Sequence, residues 1–331
     1  MNITIIGAGA WGTALAISLA DNHRVTLWAR DAEQIEAMRA TRRNLRYLPD
    51  ISLPANLELS ADFSAALKAA DVAMIAVPIA ALRTTFRQIK RSSARPGVVW
   101  LCKGFEAETS QLPHQIAAEE LPEGFQYGVL SGPSFAQEVA RGLPTALTFA
   151  SNDEAFARST AQALHHARLR IYTSNDVVGV EVGGAVKNVM AIASGICDGM
   201  GLGLNARAAL LTRGLAEITR LGLKLGGRPE TLYGLSGVGD LMLTCTSDLS
   251  RNRQVGLLLA QQQGLTEILH QLGHVAEGVY TVREVHRLAL KLGVAMPICA
   301  AVYRILYEHT PAAEMISELL SRAPSQEFDS P

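Results

Sequence analysis

The amino-acid sequence predicts an α/β domain with a mostly parallel sheet over residues 1–175, followed by an all-α domain over residues 176–331. The first half alternates short, fully apolar runs with helix-like segments, as expected when helices cover both faces of a parallel sheet. From about residue 177 the helical period continues without a convincing strand. The chain has 331 residues, 48% of them hydrophobic, which is more than one hydrophobic core usually holds.

The predicted elements follow in chain order. Strands are expected at ITII, RVTLWA, VAMIAV, GVVWLC, YGVLS and TALTFA, with a further strand near ARLRIYT at residues 167–173. Between them, ALAISLADN, DAEQIEAMRA and SAALKAA have the composition of helices. In the second half, helices are expected over residues 177–197, 205–225, 251–263, 279–292 and 298–308. The change of period between residues 174 and 177 sets the predicted domain boundary.

Charge and cysteine content narrow the class of protein. The formal net charge is -1, so no global field draws the chain to nucleic acid or to an anionic membrane. The four cysteines have no metal-ligand spacing and fit reduced thiols in the cytoplasm, and no metal site is predicted. The N-terminus lacks a signal-peptide pattern, and the apolar segment 182–197 is shorter than the ~20 residues of a membrane span. We therefore expect a cytoplasmic protein that acts on a small molecule and does not enter a membrane.

A glycine-rich loop follows the first predicted strand. Gly7-Ala8-Gly9-Ala10-Trp11-Gly12 matches GxGxxG, with a strand before it, a helix after it and a second strand about 20 residues further on. In this context the first glycine allows a tight turn, the second lets the backbone approach a diphosphate, and the third allows close packing of helix on strand. The loop predicts a Rossmann-like domain that binds a dinucleotide, and the alternative is a glycine turn in an α/β domain with no ligand.

The choice of dinucleotide is read at the end of the second strand. An acidic residue there binds the ribose 2′-hydroxyl of NAD, whereas an arginine accommodates the 2′-phosphate of NADP. The sequence has Arg30 at this position, followed by Asp31, which is also a good N-cap for the next helix. The sequence therefore favours NADPH and leaves NADH open.

Two further stretches directly follow predicted strands. Lys103 follows VVWLC, and Gly132-Pro133-Ser134 follows YGVLS. Ligands gather at the carboxyl ends of strands in a doubly wound sheet, so these residues are candidates for a site. The alternatives are a surface lysine and a turn with an N-cap.

A glycine-rich segment in the second half, residues 234–254, leads into Ser250-Arg251-Asn252-Arg253 at the start of a helix. A serine N-cap, free helix amides and a guanidinium make a credible phosphate site. A capped surface helix with solvated arginines is the alternative.

One charged side chain interrupts the most apolar segment. Lys187 is the only charged residue between Glu181 and Asp198. Burial lowers a lysine pKa, which would make the amine a competent acid and base for a carbonyl/alcohol pair. The alternative is a structural lysine that snorkels or pairs with a carboxylate such as Asp240.

Taken together, the motifs resemble the NAD(P)-dependent glycerol-3-phosphate dehydrogenases of the bacterial, soluble type. The matching elements are GAGAWGTA (7–14), KGFE (103–106), SGPSFAQEVARGLPTA (131–146), GGAVKNVMAIASGICDG (183–199), NARAALLTRGLAE (205–217), SGVGDLMLTCTSDLSRNRQ (236–254) and VAEGVYT (275–281). They lie in order over nearly the whole chain, and the resemblance implies a helical second domain like that of 6-phosphogluconate dehydrogenase.

The resemblance also implies roles for individual residues. Lys187 matches the proton donor and acceptor, Lys103 lies near nicotinamide and substrate, and Asp240 either orients Lys187 or binds a substrate hydroxyl. The substrate site is implied to contain Lys103, Gly132, Ser134, Lys187, Asn188, Asp240, Thr244, Ser250, Arg251 and Asn252. The cofactor site is implied to contain Gly7, Gly9, Ala10, Trp11, Gly12, Arg30, Lys103, Ala136, Arg251, Val275 and Glu277. Ala10 departs from the serine often found there, although its backbone amide remains.

The implied reaction is reversible reduction of dihydroxyacetone phosphate to sn-glycerol 3-phosphate, which feeds glycerophospholipid biosynthesis. The sequence leaves three alternative functions open. One is a hydroxyacid dehydrogenase that uses Lys187 on a carboxylate substrate, and another is an enzyme with Cys102 or Cys245 as nucleophile. The third is a dinucleotide-sensing regulator, for which no helix-turn-helix or basic stripe is found. The apolar helices of the second half serve either a homodimer interface or only the domain's own core.

Overall fold

The computed structural model describes residues 1–273, 276–323 and 326–327. The described chain forms two compact units. The first comprises Met1–Lys103 and Gln111–Val177, and the second comprises Gly104–Ser110 and the chain from Val178 onward.

The first unit contains all ten strands of the described chain. They are β1 (Asn2–Ile6), β2 (Arg24–Trp28), β3 (Arg43–Asn44), β4 (Leu48–Ser52), β5 (Glu58–Ser60), β6 (Val72–Ile75), β7 (Gly97–Trp100), β8 (Tyr127–Ser131), β9 (Thr145–Ala150) and β10 (Leu169–Ser174). Eight of them form one sheet in the order β10-β9-β8-β7-β6-β1-β2-β5. Every neighbouring pair in this sheet is parallel except β8 and β9.

The centre of this sheet explains where a ligand belongs. Strand β1 lies between β2 and β6. The chain passes from β1 to β2 on one side and later crosses from β5 to β6 on the other, so the carboxyl end of β1 is a switch point. The four residues of β6 and the four of β7 are all buried, which requires helices on both faces. The predicted α/β fold with a mostly parallel sheet is confirmed.

The helices of the first unit connect and cover these strands. They are α1 (Ala10–Ala20), α2 (Ala32–Thr41), α3 (Phe63–Leu67), α4 (Ile79–Arg91), α5 (Pro113–Glu120), α6 (Ala136–Ala140) and α7 (Glu154–Leu164). The main core joins α1, α2 and α7 to the sheet through aliphatic residues such as Ile5, Leu15 and Leu27. This packing fixes the start of α1, and with it the glycine-rich loop, against the sheet.

A small hairpin was not predicted. Strands β3 and β4 pair antiparallel outside the main sheet, after Arg42 adopts a left-handed backbone with φ 50°. Because β3 has two residues and the hairpin carries Arg, Asn, Pro and Asp, the segment lacks the apolar alternation that identifies strands. Strand β5, with three residues, was missed for the same reason.

The described residues of the second unit form helices and loops and no strand. Its helices are α8 (Val177–Gly199), α9 (Gly203–Lys224), α10 (Pro229–Leu232), α11 (Asp240–Thr246), α12 (Arg251–Ala260), α13 (Leu265–Leu272), α14 (Glu277–Leu292), α15 (Pro297–Tyr307) and α16 (Ala312–Leu320). A single π-helical turn, Leu235–Gly239, leads into α11. The all-helical character predicted for the second half is confirmed, although α10, α11, α13 and α16 were not anticipated.

Helix α8 is the apolar segment singled out in the sequence. It has 23 residues, so the expectation that this segment is too short to cross a membrane does not hold. By length and composition it is a candidate span, but 94% of its most apolar window is buried inside the protein. A core helix of a soluble protein has this signature, and the burial is consistent with that role.

Candidate active site

The glycine-rich loop has the geometry of a diphosphate cradle. Gly7 has φ 117°, and a Cβ there would meet the Ala76 carbonyl, while a Cβ at Gly12 would meet the carbonyl of Gly7. A Cβ at Gly9 would meet nothing within 4 Å, so this face of the loop is open. Two positions therefore require glycine for packing, and the third leaves room for a ligand.

The first turn of α1 supplies the donors for this cradle. The first helical hydrogen bond runs from the Thr13 amide to the Gly9 carbonyl at 3.0 Å. The amides of Ala10, Trp11 and Gly12 donate to no atom of the described chain. Free amides at a helix N-terminus bind phosphate groups, so the loop fits the dinucleotide that the fold implies.

Asp31, which follows the end of β2, is held by the backbone of the next helix. The Asp31 carboxylate accepts hydrogen bonds from the amides of Glu33 at 3.1 Å and Gln34 at 3.2 Å, which makes it the N-cap of α2. Arg30, immediately before it, is exposed. The acid next to the nucleotide-reading position is therefore engaged by the protein backbone.

Lys103 and the turn after β8 come together in the first unit. The Lys103 ammonium donates to the carbonyl oxygen of Gly132 at 3.3 Å, and the Ser134 hydroxyl donates to the same oxygen at 3.1 Å. Gly132 has φ 141°, a conformation that favours glycine. Because β7 and β8 are adjacent and parallel, their carboxyl ends place these residues at one edge of the sheet.

Ala136 lies beside the glycine-rich loop. Together with Ala10 and Trp11 it packs against a small apolar cluster that includes Ala14 and Leu48. The structure thus brings together three residues that the sequence assigned to the cofactor.

In the second unit, Lys187 is buried in α8 at 7% exposure. Its ammonium forms an ion pair with Asp240 and donates to the Thr244 hydroxyl at 2.8 Å. That hydroxyl also lies 2.6 Å from the Asp240 carbonyl. Lys187, Asp240 and Thr244 therefore form one buried network, in which the pair of Lys187 and Asp240 is the structural alternative that the sequence offered and Thr244 is a residue implied by the resemblance.

Close backbone packing positions this network. A Cβ at Gly183, one helical turn before Lys187, would lie 2.6 Å from the Ser236 carbonyl in the π-helical turn. The π-helical turn ends at Gly239, and Asp240 begins α11 directly after it. Glycine at position 183 thus lets α8 approach the turn that carries the carboxylate.

The ion pair changes the electrostatic expectation for Lys187. Burial disfavours an isolated ammonium, whereas an adjacent carboxylate stabilises it. The expectation of a lowered lysine pKa rested on burial without a paired carboxylate, and it remains a prediction. The carboxylate pairing that the sequence left as an alternative is present, with Asp240 as the partner.

The start of α12 carries the predicted phosphate-binding residues. Ser250 is the N-cap, and its hydroxyl accepts from the Arg253 amide at 3.3 Å. Arg251 is exposed, and its guanidinium contacts no carboxylate in the described chain. The backbone amides of Arg251 and Asn252 likewise lack an acceptor among the described residues. A free guanidinium beside free helix amides fits an anion.

Asn252 joins α12 to two other helices. Its amide nitrogen donates to the Asn188 carboxamide oxygen at 3.0 Å, and its own oxygen accepts from the Gly278 amide at 3.0 Å. Glu277, predicted to contact the cofactor, is the first residue of α14 and immediately precedes Gly278. Val275 lies outside the described residues.

A second ion network was missed by sequence reasoning. Arg253 binds Asp198 at 2.7 Å and Asp248 at 2.6 Å, and Asp198 also accepts from Arg207 at 3.2 Å. This network ties the end of α8 to the first turn of α12, two residues from Arg251. The available signal was Asp198 itself, which is the first charge after the apolar run that follows Lys187.

The buried thiols disfavour a cysteine nucleophile. Both candidates, Cys102 and Cys245, are buried. Burial raises the pKa of the Cys245 thiol to about 12, so the reactive thiolate is suppressed at neutral pH.

A switch-point glycine loop in a parallel sheet, followed by a helical unit with a buried lysine, defines the class of nicotinamide-dinucleotide dehydrogenases. Comparison with known proteins narrows this class. Family models for the N-terminus and the C-terminus of NAD-dependent glycerol-3-phosphate dehydrogenase match residues 2–157 and 176–317.

Individual relatives agree over the whole chain. A protein of Thiobacillus denitrificans named glycerol-3-phosphate dehydrogenase [NAD(P)+] is 60% identical over 328 residues, covering 99% of this chain and all of the relative. A relative of the same name from Dechloromonas aromatica is 56% identical with the same coverage. The crystal structure of glycerol-3-phosphate dehydrogenase from Coxiella burnetii has a TM-score of 0.92 at 43% identity, covering 97% of this chain and 99% of that one.

The chain therefore belongs to the NAD-dependent glycerol-3-phosphate dehydrogenase family. It is accordingly an oxidoreductase that uses NADH or NADPH.

Proposed function

We propose that this protein catalyses the reversible reduction of dihydroxyacetone phosphate to sn-glycerol 3-phosphate, with Lys187 as proton donor and acceptor. The observation that carries the proposal is the buried network of Lys187, Asp240 and Thr244, in the same unit as an anion-binding helix start. The names of the relatives at 55–60% identity support the substrate. A small-molecule substrate also suits a protein with a net charge of -1.

Lys187 supplies the proton. The bound reduced dinucleotide supplies hydride to the carbonyl carbon. As negative charge develops on the carbonyl oxygen, the Lys187 ammonium donates a proton to it, and in the reverse direction the amine accepts that proton. Asp240 holds the ammonium through the ion pair, and Thr244 fixes its direction by the 2.8 Å hydrogen bond.

The substrate phosphate is assigned to the start of α12. Arg251 offers two parallel donors to phosphate oxygens, and the unpaired amides of the first turn add the positive end of the helix dipole. Ser250 holds the turn through its cap, and Asn252 fixes it to Asn188. Binding energy from this non-reacting phosphate orients the carbonyl, which is how remote groups accelerate a reaction.

Lys103 is the second cation assigned to the reaction. Its ammonium is held by the Gly132 carbonyl, at the carboxyl edge of the sheet that also carries the glycine-rich loop. We assign to it the stabilisation of negative charge near the nicotinamide and substrate, together with Ser134 as a polar contact.

NADPH is the proposed preferred cofactor, with NADH as the alternative. Asp31 is engaged as an N-cap, which leaves the exposed Arg30 as the charged residue available to a 2′-phosphate. The product of the proposed reaction provides the glycerol backbone of glycerophospholipids, so we place the enzyme in lipid biosynthesis in the cytoplasm.

The test follows oxidation of NADPH, and then of NADH, by absorbance with dihydroxyacetone phosphate as substrate. Turnover is expected with this substrate and not with small 2- or 3-oxoacids. Lys187→Met is expected to lower kcat at least about 100-fold, because general acid catalysis is lost. The matched control is Lys224→Met, an exposed lysine at the end of α9. Equal kcat values for the two variants would refute the role of Lys187.

The phosphate assignment has its own test. Arg251→Ala is expected to raise the KM for dihydroxyacetone phosphate at least about tenfold, as the loss of a charge-assisted contact implies. Arg322→Ala, at an exposed arginine beyond α16, is the control and leaves KM unchanged. An unchanged KM in Arg251→Ala would place the phosphate elsewhere.

A further inference from the structure

The hairpin of β3 and β4 packs against the glycine-rich loop, although neither strand belongs to the main sheet. Leu48 of β4 is buried in an apolar cluster with Ala14 of α1. Ala10, Trp11 and Ile51 pack against this cluster. The hairpin therefore contacts the segment that presents its amides to the dinucleotide.

One side chain of the hairpin bonds directly to the loop. Asn44 is 1% exposed, and its amide nitrogen donates to the Ala8 carbonyl at 3.0 Å and to the Thr13 hydroxyl at 2.7 Å. Gln34 of α2 donates to the same Ala8 carbonyl at 2.9 Å. Ala8 lies between Gly7 and Gly9, so two side-chain amides hold one peptide group of the loop.

This arrangement fixes the direction of a phosphate-facing group. The peptide unit from Ala8 to Gly9 is planar and trans, so its carbonyl and its N–H point in opposite directions. With the carbonyl held by Asn44 and Gln34, the Gly9 amide is directed away from them. The third partner, Thr13, is one turn into α1, so Asn44 also fixes the helix start relative to the loop.

Folding stability alone does not explain Asn44. Its side-chain oxygen is buried and accepts no hydrogen bond within the described chain. An unsatisfied buried acceptor costs stability, and this cost offsets part of what the two donated hydrogen bonds contribute. Turning the amide over would place this oxygen against the Ala8 carbonyl, which accepts only. The residue is explained if its two donors are needed to set the geometry of the loop.

We propose that Asn44, assisted by Gln34, is a positioning residue for dinucleotide binding: it preorganises the Ala8–Gly9 peptide and the first turn of α1 for the diphosphate. The hairpin serves to deliver this amide to the loop. The hydrogen bonds of Asn44 and Gln34 favour the binding of NADH and NADPH equally, because they position the loop that binds the diphosphate, which both cofactors share.

The test measures dinucleotide binding directly, by calorimetry on the full-length protein without substrate. Asn44→Leu, which keeps the approximate shape and removes both donors, is expected to raise Kd about tenfold for NADPH and for NADH. At saturating dinucleotide, kcat and the KM for the phosphate substrate stay within about twofold. Gln34→Leu removes one donor from a half-buried position and is expected to raise Kd about threefold.

Asn56→Leu is the matched control. Asn56 also donates its side-chain amide to a backbone carbonyl, that of Ala20 at 2.6 Å, but at the opposite end of α1. This variant is expected to bind dinucleotide as the parent does. Amide hydrogen exchange in the free protein is expected to accelerate over residues 7–13 in Asn44→Leu and to stay unchanged there in Asn56→Leu.

Three results would overturn the proposal. The first is a Kd for Asn44→Leu within twofold of the control. The second is unchanged hydrogen exchange over residues 7–13. The third is a fall in kcat at saturating dinucleotide without a change in Kd. If Asn44→Leu does not fold, Gln34→Leu decides the matter, and a Kd equal to that of Asn56→Leu overturns the proposal.

Discussion

Asp240 carries the carboxylate that forms the buried ion pair with Lys187. Its carboxylate is 1% exposed and pairs with an ammonium that is also buried. Removing one member of a buried pair leaves an uncompensated charge, which typically destabilises a protein by about 3–5 kcal/mol. The hydrogen bond from Lys187 to the neutral Thr244 hydroxyl carries no counter-charge.

We therefore expect Asp240→Asn to lower the free energy of unfolding by about 3–5 kcal/mol, as measured by urea denaturation, and to lower kcat as well. The control is Asp248→Asn, whose carboxylate is paired with Arg253 but has a side chain that is 92% exposed. An exposed pair contributes about 0–1 kcal/mol. Equal losses of stability in the two variants would show that Asp240 does not stabilise a buried ammonium.

Glu217 is a second buried carboxyl group, remote in sequence from the network of Lys187. From α9 it accepts hydrogen bonds from the amides of Ile298 at 2.6 Å and Cys299 at 3.1 Å, at the start of α15. Burial raises its pKa from 4.5 to about 7 in spite of these bonds. A raised acid pKa means that the folded state prefers the neutral form, so the stabilisation is present below pH 4.5 and is lost as the pH approaches 7.

The free energy of unfolding should consequently fall between pH 4.5 and 7 more steeply in the parent than in Glu217→Gln, which cannot ionise. The difference is expected to be on the order of 1–3 kcal/mol over this interval. Urea unfolding at several pH values measures both slopes. Parallel pH profiles would contradict the raised pKa of Glu217.

At the scale of elements, the crossing of α8 and α12 fixes the distance between the proposed proton donor and the proposed phosphate site. A Cβ at Gly195 would meet the Arg253 carbonyl, and a Cβ at Gly256 would meet the Ile192 carbonyl. The two helices thus touch through their backbones. Arg251 and Lys187 are carried by helices whose spacing allows no extra methyl group.

Gly256→Ala should force α12 away from α8. We expect a loss of about 1–3 kcal/mol in unfolding free energy, which is typical of overpacking. We also expect the KM for the phosphate substrate to rise relative to the parent, and to rise more than the KM for the dinucleotide. Gly264→Ala, where an added Cβ meets nothing within 4 Å, is the control. It changes only a helix cap, with an effect below about 1 kcal/mol. A stability and KM for Gly256→Ala that match the control would mean that the crossing tolerates a side chain.

At the scale of the whole molecule, the apolar helix α8 raises the question of a membrane. Of its most apolar window, 94% is buried inside the protein. We expect the protein to remain in the supernatant after high-speed centrifugation of a lysate prepared without detergent. Recovery in the pellet, with release by detergent, would contradict this expectation.

The sequence predicted the strongest patterns of the fold and missed the weakest. All residues of β6 and β7 are apolar and buried, so the sequence alone is enough to recognise them as strands. The hairpin of β3 and β4 is short and polar, and the role of Asn44 comes from a bond to Ala8, 36 residues away in the chain. Contacts of this kind have no local periodicity.

The candidate site likewise has residues that the local sequence identifies and contacts that it does not. Lys187 was identifiable because it is one charge in an apolar run. Asp240, 53 residues further on, was named only as one carboxylate in the alternative interpretation, because no motif specifies a pairing that depends on the packing of Gly183 on the π-helical turn. The link between Arg253 and Asp198 spans 55 residues and was not predicted at all.

All four cysteines are buried, so a dye could be attached to one introduced cysteine without removing the native ones. Burial also raises the pKa of Cys197, Cys245 and Cys299, so maleimide reagents find few reactive thiolates in the native protein. A single new thiol at an exposed loop position, as in Glu123→Cys, would then carry one dye without prior removal of the native cysteines.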